Sequence, residues 1–183
     1  MARMIPATFP DDWKSDAEHV VFEMLRNDLS HEWFCLHSVG LAKHERKVWA
    51  EIDFVLVGPS GIFCLEVKGG YVGREDGIWI FRNRHGRENR KAEGPFEQVG
   101  SAAGALKAFF RANHRDILKS IVGHGVVMPD VTCTMRGPDV DPEIILDETT
   151  IGEGMSAYVQ QLATVWTSRF REQHHAEPRA LSR

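Results

Sequence analysis

Apolar residues recur at helical spacing in three separate stretches of this chain. Ala17, Val21, Met24, Leu25 and Leu29 share one face of a helix predicted over about 16–29. Ser15-Asp16-Ala17-Glu18 matches a capping box that opens it, with Ser15 as N-cap. Val99, Ala102, Ala103, Leu106, Phe109 and Phe110 give an apolar face to a second helix over 95–112, with Pro95 suited to its first position. Tyr158, Leu162, Val165, Trp166 and Phe170 predict a third near 155–172.

Between the helices the period changes to two. In Glu51 to Lys68, EIDFVLVGPSGIFCLEVK, two alternating runs flank a Gly-Pro-Ser-Gly turn. With Pro59 and Ser60 at the tip, Gly58 faces Gly61, Val57 faces Ile62, Val55 faces Cys64, Asp53 faces Glu66 and Glu51 faces Lys68. Side chains alternate faces along a strand. Ile52, Phe54, Leu56, Phe63, Leu65 and Val67 then form an apolar face, while Glu51, Asp53, Glu66 and Lys68 share the other. Pro-Ser is not a preferred two-residue tip, so a wider loop with a bulge is the alternative.

Further strands are predicted at His31 to Leu41, as a pair over 71–81, at Gly125 to Met128 ended by Pro129, and at Ile144 to Leu146. Lys43 to Lys47 reads as a charged connector, Arg82 to Lys91 as a basic loop, and Ile117 to Val122 as a short connecting element. Helix, strands, helix, strand, helix is the order of an α/β sandwich around a mixed central sheet. We expect an irregular lead-in over 1–14, one domain over 15–172, and a polar, frayed tail or linker over 173–183.

Composition narrows the class. At 183 residues, 43% apolar and 26% charged, the chain is an ordinary soluble globular domain. Its net charge of −4 does not advertise nucleic-acid binding, so any such surface is local. The three cysteines, Cys35, Cys64 and Cys133, match neither a zinc spacing nor a disulfide framework, which favours a reducing compartment. No apolar run reaches membrane-spanning length, and the first residues lack the apolar core of a secretory signal. The cytoplasm is the expected location.

Charges placed between apolar strand residues need a reason, because unpaired buried charge is costly. Two carboxylates opposed across a hairpin repel unless something neutralises them. A hard divalent cation does this: Mg²⁺ takes one or two carboxylates, keeps several waters and uses its remaining positions for phosphate oxygens. A lysine beside it can orient or deprotonate a water, or offset charge in a transition state. The plain alternative is a solvated sheet edge in which Glu51 pairs with Lys68.

The block IDFVLVGPSGIFCLEVKGG resembles the core of the NERD (nuclease-related) domain, with its Ile-Asp strand, Gly-Pro-x-Gly turn and strand ending Glu-x-Lys. Ala17-Glu18 matches a Gly/Ala-Glu of that family. PFEQVGSAAGALKAFF matches its helix that opens with Pro and carries Gln, and GHGVVMPDV its late apolar strand. The resemblance covers about residues 15–130. The family is similar to the PD-(D/E)XK nucleases, especially the RecB-like and archaeal Holliday-junction-resolvase-like branches. It therefore implies a restriction-endonuclease-like three-layer sandwich, a central mixed sheet flanked by helices.

By that resemblance Asp53 and Glu66 ligate Mg²⁺, with Mn²⁺ able to substitute, and Lys68 is the catalytic lysine. Glu18 is the first-helix acid that completes the site, and Gln98 contacts substrate or a site water. Glu18 also has a capping role open to it and Gln98 an exposed-helix role. In RecB-like nucleases a Tyr follows the Gln by four residues; here that position is Ala102. Glu51 lies outside the pattern, as a partner of Lys68 or a neighbour of the metal. Arg82, Arg84, Arg87, Arg90 and Lys91, with His85, form the candidate phosphate-contacting loop, which holds no aromatic for base stacking. Its alternative is a solvated charge run.

The expected function is a Mg²⁺-dependent nuclease hydrolysing phosphodiester bonds of DNA, in DNA processing or defence. The runner-up is a non-catalytic nucleic-acid-binding or regulatory module, the N-terminal part of a longer protein carrying a helicase or signalling domain.

Overall fold

A computed structural model of the chain describes residues 1–10, 15–41, 50–83 and 85–181. The connector Lys43 to Lys47 and the candidate contact Arg84 lie outside the described residues.

Six strands make a mixed sheet: β1 (Arg3–Ile5), β2 (Phe34–Leu41), β3 (Ala50–Gly58), β4 (Gly61–Val67), then, after the excursion described below, β8 (Val122–Met128) and β9 (Ile145–Asp147). They lie in the order β1-β2-β3-β4-β8-β9. The β2–β3 and β3–β4 pairs are antiparallel, whereas the β1–β2, β4–β8 and β8–β9 pairs are parallel. Between β4 and β8 the chain builds an antiparallel three-stranded sheet from β5 (Tyr71–Glu75), β6 (Ile78–Arg82) and β7 (Glu88–Lys91), and then a helix.

Three helices cover the main sheet among the described residues: α1 (Asp16–Asp28), α2 (Pro95–Asn113) and α3 (Met155–His174). Register shows which face each covers. Phe63 and Leu65 pair with Gly123 and Gly125. A Cβ on either glycine would collide with α3, through Trp166 at the first and Tyr158 at the second. On the opposite face His124, level with Cys64, lies against Gly100 of α2. α1 shares the α3 face: its Phe22 ring meets His37, which pairs with Phe54. Asp28 ties the two helices by accepting from the Met155 N–H at 2.9 Å. The result is a three-layer α/β sandwich. Every residue of β4 is buried, so apolar side chains fill both of its faces.

The hairpin forms in the expected register from Gly58–Gly61 to Phe54–Leu65, with a two-residue tip and no wider loop. Gly61 sits at φ 135°, and a Cβ there would come within 3 Å of Ile121. The turn therefore needs glycine at this position.

Three sequence expectations change. Residues 3–5, read as irregular, form a parallel edge strand whose Arg3 N–H bonds to the Trp33 carbonyl at 2.8 Å. Three residues are too short for an alternation pattern to register. Within the basic loop, 88–91 is a strand made wholly of polar residues, added by backbone pairing and by ion pairs to its neighbours. The described part of the tail is not frayed as expected: α3 runs on to His174, and the Arg179 N–H bonds to the Lys119 carbonyl at 2.7 Å.

The end of β9 depends on one buried acid. Asp147 accepts from the N–H groups of Cys133 at 2.9 Å and Thr149 at 3.0 Å, and from the Thr149 hydroxyl at 2.6 Å. Burial pushes its carboxyl up, but these hydrogen bonds win and hold it below the usual aspartate range. Its stabilisation is thus present above the ordinary aspartate value and lost as pH falls toward the depressed folded value. Asp147→Ala is expected to cost about 2 kcal/mol, the scale of stranding buried donors. A lower urea midpoint at unchanged m-value would show it.

Candidate active site

The β3–β4 ladder ends where the charges begin. Continuing the register would set Asp53 opposite Glu66, yet pairing stops at Phe54–Leu65. Instead the Val67 N–H donates to Asp53 Oδ2 at 2.7 Å. On the other side of β3, Ser38 is skipped in the ladder and adopts φ 56°. Pairing is therefore interrupted on both sides of Asp53, and its carboxylate takes up the Val67 backbone donor beyond the end of the β3–β4 ladder.

Glu66 follows on β4 and is 1% exposed. Its Oε1 accepts a hydrogen bond from Lys68 Nζ. Lys68 is anchored by its own N–H, which donates to the Val127 carbonyl at 2.9 Å. Its ammonium stands 5.6 Å from the centre of the Phe81 ring, within cation–π range. Phe81 belongs to β6, so the small sheet forms a wall of the site.

Glu18 enters from α1. The Glu18 N–H donates to Ser15 Oγ at 3.3 Å, so Ser15 is the N-cap that the sequence predicts. The Glu18 carboxylate is engaged elsewhere: Oε2 accepts from His37 Nε2 at 3.0 Å. His37 is buried, with the rings of Phe9, Phe22 and Phe54 around it. Gly69, just past β4, lets the start of α1 close in, since a Cβ there would lie 2.6 Å from that of Ala17. This close approach brings Glu18 to the end of β4.

The electrostatics tie these groups into one unit. Burial, then the charge of Glu66, pushes the Asp53 carboxyl well above the usual range, against Lys68 and the Val67 N–H; Glu18 adds to the rise. Burial also raises Glu66, against the pull of Lys68 and Lys91, and Glu18 again pushes upward. Burial disfavours the Lys68 ammonium, but Glu66, Asp53 and Glu18 outweigh it and hold its pKa above the ordinary lysine value. The site carries more acid than its own cations neutralise.

Among the described residues, no group of three or more His, Cys, Asp and Glu is placed to hold a metal ion by itself. Mg²⁺ does not require such a cage. Two hard carboxylates with room for waters and phosphate oxygens satisfy it. Asp53 and Glu66, both disfavoured as anions by burial, fit that demand.

The remaining candidates are placed as follows. Gln98 is half-buried in the first turn of α2. Glu51 is exposed and accepts from the Ser38 hydroxyl, not from Lys68. Arg82 and Arg90 are held by carboxylates of the same small sheet: Arg82 by Glu88 at 3.0 Å, Arg90 by Glu88 at 2.8 Å and Glu75 at 3.2 Å. The N–H groups of His85 and Arg87 both donate to Asn83 Oδ1 at 3.0 Å, which shapes the turn. Lys91, on β7, is the member of this cluster whose charge reaches Glu66. His37 and Phe81 were not foreseen. The one local signal for His37 is a polar residue within an apolar strand; its partner lies 19 residues away.

A family model described as NERD, nuclease-related domain, matches residues 13–128. That span includes Glu18, Asp53, Glu66, Lys68 and Gln98. No curated protein matches the chain, and no solved structure does.

Proposed function

Because this chain belongs to the nuclease-related domain family, we propose that it is a metal-dependent nuclease hydrolysing the phosphodiester bonds of DNA. The observation that carries this reading is the meeting of Asp53, Glu66, Lys68 and Glu18 where β3 and β4 part. Asp53 and Glu66 are the residues that would hold Mg²⁺ or Mn²⁺. Bound there, such an ion supplies Lewis-acid polarisation of a phosphoryl oxygen and lowers the pKa of a coordinated water.

The chain's own groups do the rest. Lys68 remains an ammonium beside its acids, so it donates to a phosphate oxygen and offsets negative charge that develops there. It does not serve as a proton acceptor. Glu18, fixed by His37, is the carboxylate placed to accept a proton from an attacking water. Phe81 walls the site and restricts the Lys68 ammonium. Lys91, whose charge reaches Glu66, and Gln98, in the first turn of α2, are the proposed phosphate contacts, reading backbone and not sequence. We place the enzyme in the cytoplasm, where thiols such as Cys35, Cys64 and Cys133 stay reduced. No helix among the described residues is long and apolar enough to cross a membrane.

The test is direct. Labelled single- and double-stranded DNA and RNA are incubated with the protein and Mg²⁺ or Mn²⁺, with EDTA as control. Metal-dependent cleavage of DNA is expected. Binding without cleavage of any polymer would instead identify a non-catalytic nucleic-acid module, and absence of both would overturn the proposal.

A further inference from the structure

A second charged cavity lies toward the opposite end of β4 from the carboxylates. It measures about 140 Å³ and is lined by Lys107 and Arg111 of α2, Ser120 at the entry to β8, and Trp166, Arg169 and His174 of α3. Val122 also lines it and pairs with Ile62 at the start of β4. Glu66 is four residues further along, about 13 Å at the usual strand rise.

The charges in this cavity do not balance. No Asp or Glu lines it among the described residues. Arg169 is already compensated, by Asp141 at 2.6 Å and Glu143 at 2.9 Å, and acts as a fixed wall. Lys107 and Arg111 have no carboxylate partner among the described residues. They sit one helical turn apart, where like charges destabilise a helix. Burial first, and Arg111 as well, pushes Lys107 below the ordinary lysine value. The centre of the Trp166 ring is 5.3 Å from Lys107 Nζ and 5.0 Å from the Arg169 guanidinium. Ser120 is 5% exposed, and it lines the cavity.

A half-buried ammonium, an exposed guanidinium fork and a serine around one cavity make an uncommon combination in a chain of net charge −4. An anion with several acceptor oxygens would satisfy all three. A guanidinium binds phosphate in a two-pronged manner, and an ammonium acts as a point charge. The volume admits a tetrahedral oxyanion with a water or two, taking about 30 Å³ for each water.

We propose that this cavity is a phosphate-binding site separate from the Asp53–Glu66 centre, taking a phosphoryl group that is either free or at a nucleic-acid end. It does not depend on the nuclease reading.

The experiment titrates inorganic phosphate into the full chain in EDTA, at ionic strength held constant with chloride. Calorimetry and the melting temperature report binding, since a ligand of the folded state stabilises it. We expect saturable binding that Lys107→Met and Arg111→Gln each weaken by about tenfold or more, the scale of one charge-assisted hydrogen bond. Asp53→Ala should bind phosphate as the wild type does. Arg111 is exposed, so its variant gives a readout even if Lys107→Met folds poorly. Competition by a short 5′-phosphorylated oligonucleotide, and not by its unphosphorylated twin, assigns the phosphoryl group to a nucleic-acid end. Absence of that competition assigns it to free phosphate. The proposal is overturned if phosphate does no more than chloride, if neither variant changes its binding, or if Asp53→Ala removes it.

Discussion

Asp53→Asn is expected to lower metal-dependent cleavage by about 10³-fold, at the upper end of what one lost charge-stabilising group removes, and to make the metal-free protein more stable. Both effects follow from one placement. The Asp53 carboxylate is crowded by burial and by Glu66. Asparagine keeps an oxygen for the Val67 N–H and removes the charge that the site disfavours. A gain of about 1 kcal/mol is the scale of one pKa unit of relief. The sign follows from linkage. A carboxyl whose folded pKa is raised keeps its proton in the folded state after the unfolded chain has lost it. Stability of the metal-free wild type therefore falls as pH climbs from the ordinary aspartate value toward the raised folded one. In Asp53→Asn that fall should shrink. Mg²⁺ should raise the melting temperature of the wild type, and more so above this window than within it, while leaving the variant unmoved. A variant that still cuts, or that melts lower in EDTA, contradicts the assignment of Asp53.

Much of this arrangement is legible along the chain because it is local. The pairing from Gly58–Gly61 to Phe54–Leu65 follows from alternation and a tight turn, and brings Asp53 and Glu66 to the end of the ladder. Three helices follow from apolar spacing, and the Ser15 cap from four consecutive residues. What the chain does not announce is non-local or depends on geometry. The pleat suggests that Asp53 and Glu66 simply face each other; in the structure the ladder stops short of them and the Val67 N–H bonds to Asp53 instead. Alternation is blind to this, since it specifies faces and not where pairing ends. The role of Glu18 turned on His37, supplied by another strand. The capping reading, in which the Glu18 carboxylate reaches back to the Ser15 N–H, gives way: Ser15 caps the Glu18 N–H, while the Glu18 carboxylate meets His37 and its charge acts on Asp53. Arg82 and Arg90 looked like free cations because their neutralising acids, Glu75 and Glu88, are brought in by strand pairing. Net charge hid Lys107 and Arg111 for a similar reason, since a local excess averages out over the whole chain.

Lys68→Met carries the largest expected stability effect and separates two roles for the lysine. Glu66 is 1% exposed, and its hydrogen bond comes from Lys68. Removing the ammonium leaves a buried carboxylate without that partner, which typically costs about 3–5 kcal/mol. The metal-free variant should unfold at a clearly lower urea concentration, and Glu66→Gln added to it should recover most of the loss. Cleavage should be absent in both, because neither restores a cation at that position. Lys68 is itself held charged: burial opposes the ammonium, but Glu66 and Asp53 outweigh it. A lysine whose folded pKa is raised contributes stability fully below its unfolded value and loses it only as pH rises through the folded one. The pair should thus stabilise the protein undiminished across neutral pH. The rate of cleavage should show no ascending limb that belongs to Lys68 losing a proton. If such a limb appears near neutrality in the wild type and vanishes in Lys68→Arg, the lysine is a base and the charge-offset role is wrong. If instead Lys68→Arg keeps part of the activity with an unchanged pH profile, positive charge beside the phosphate is what the site requires.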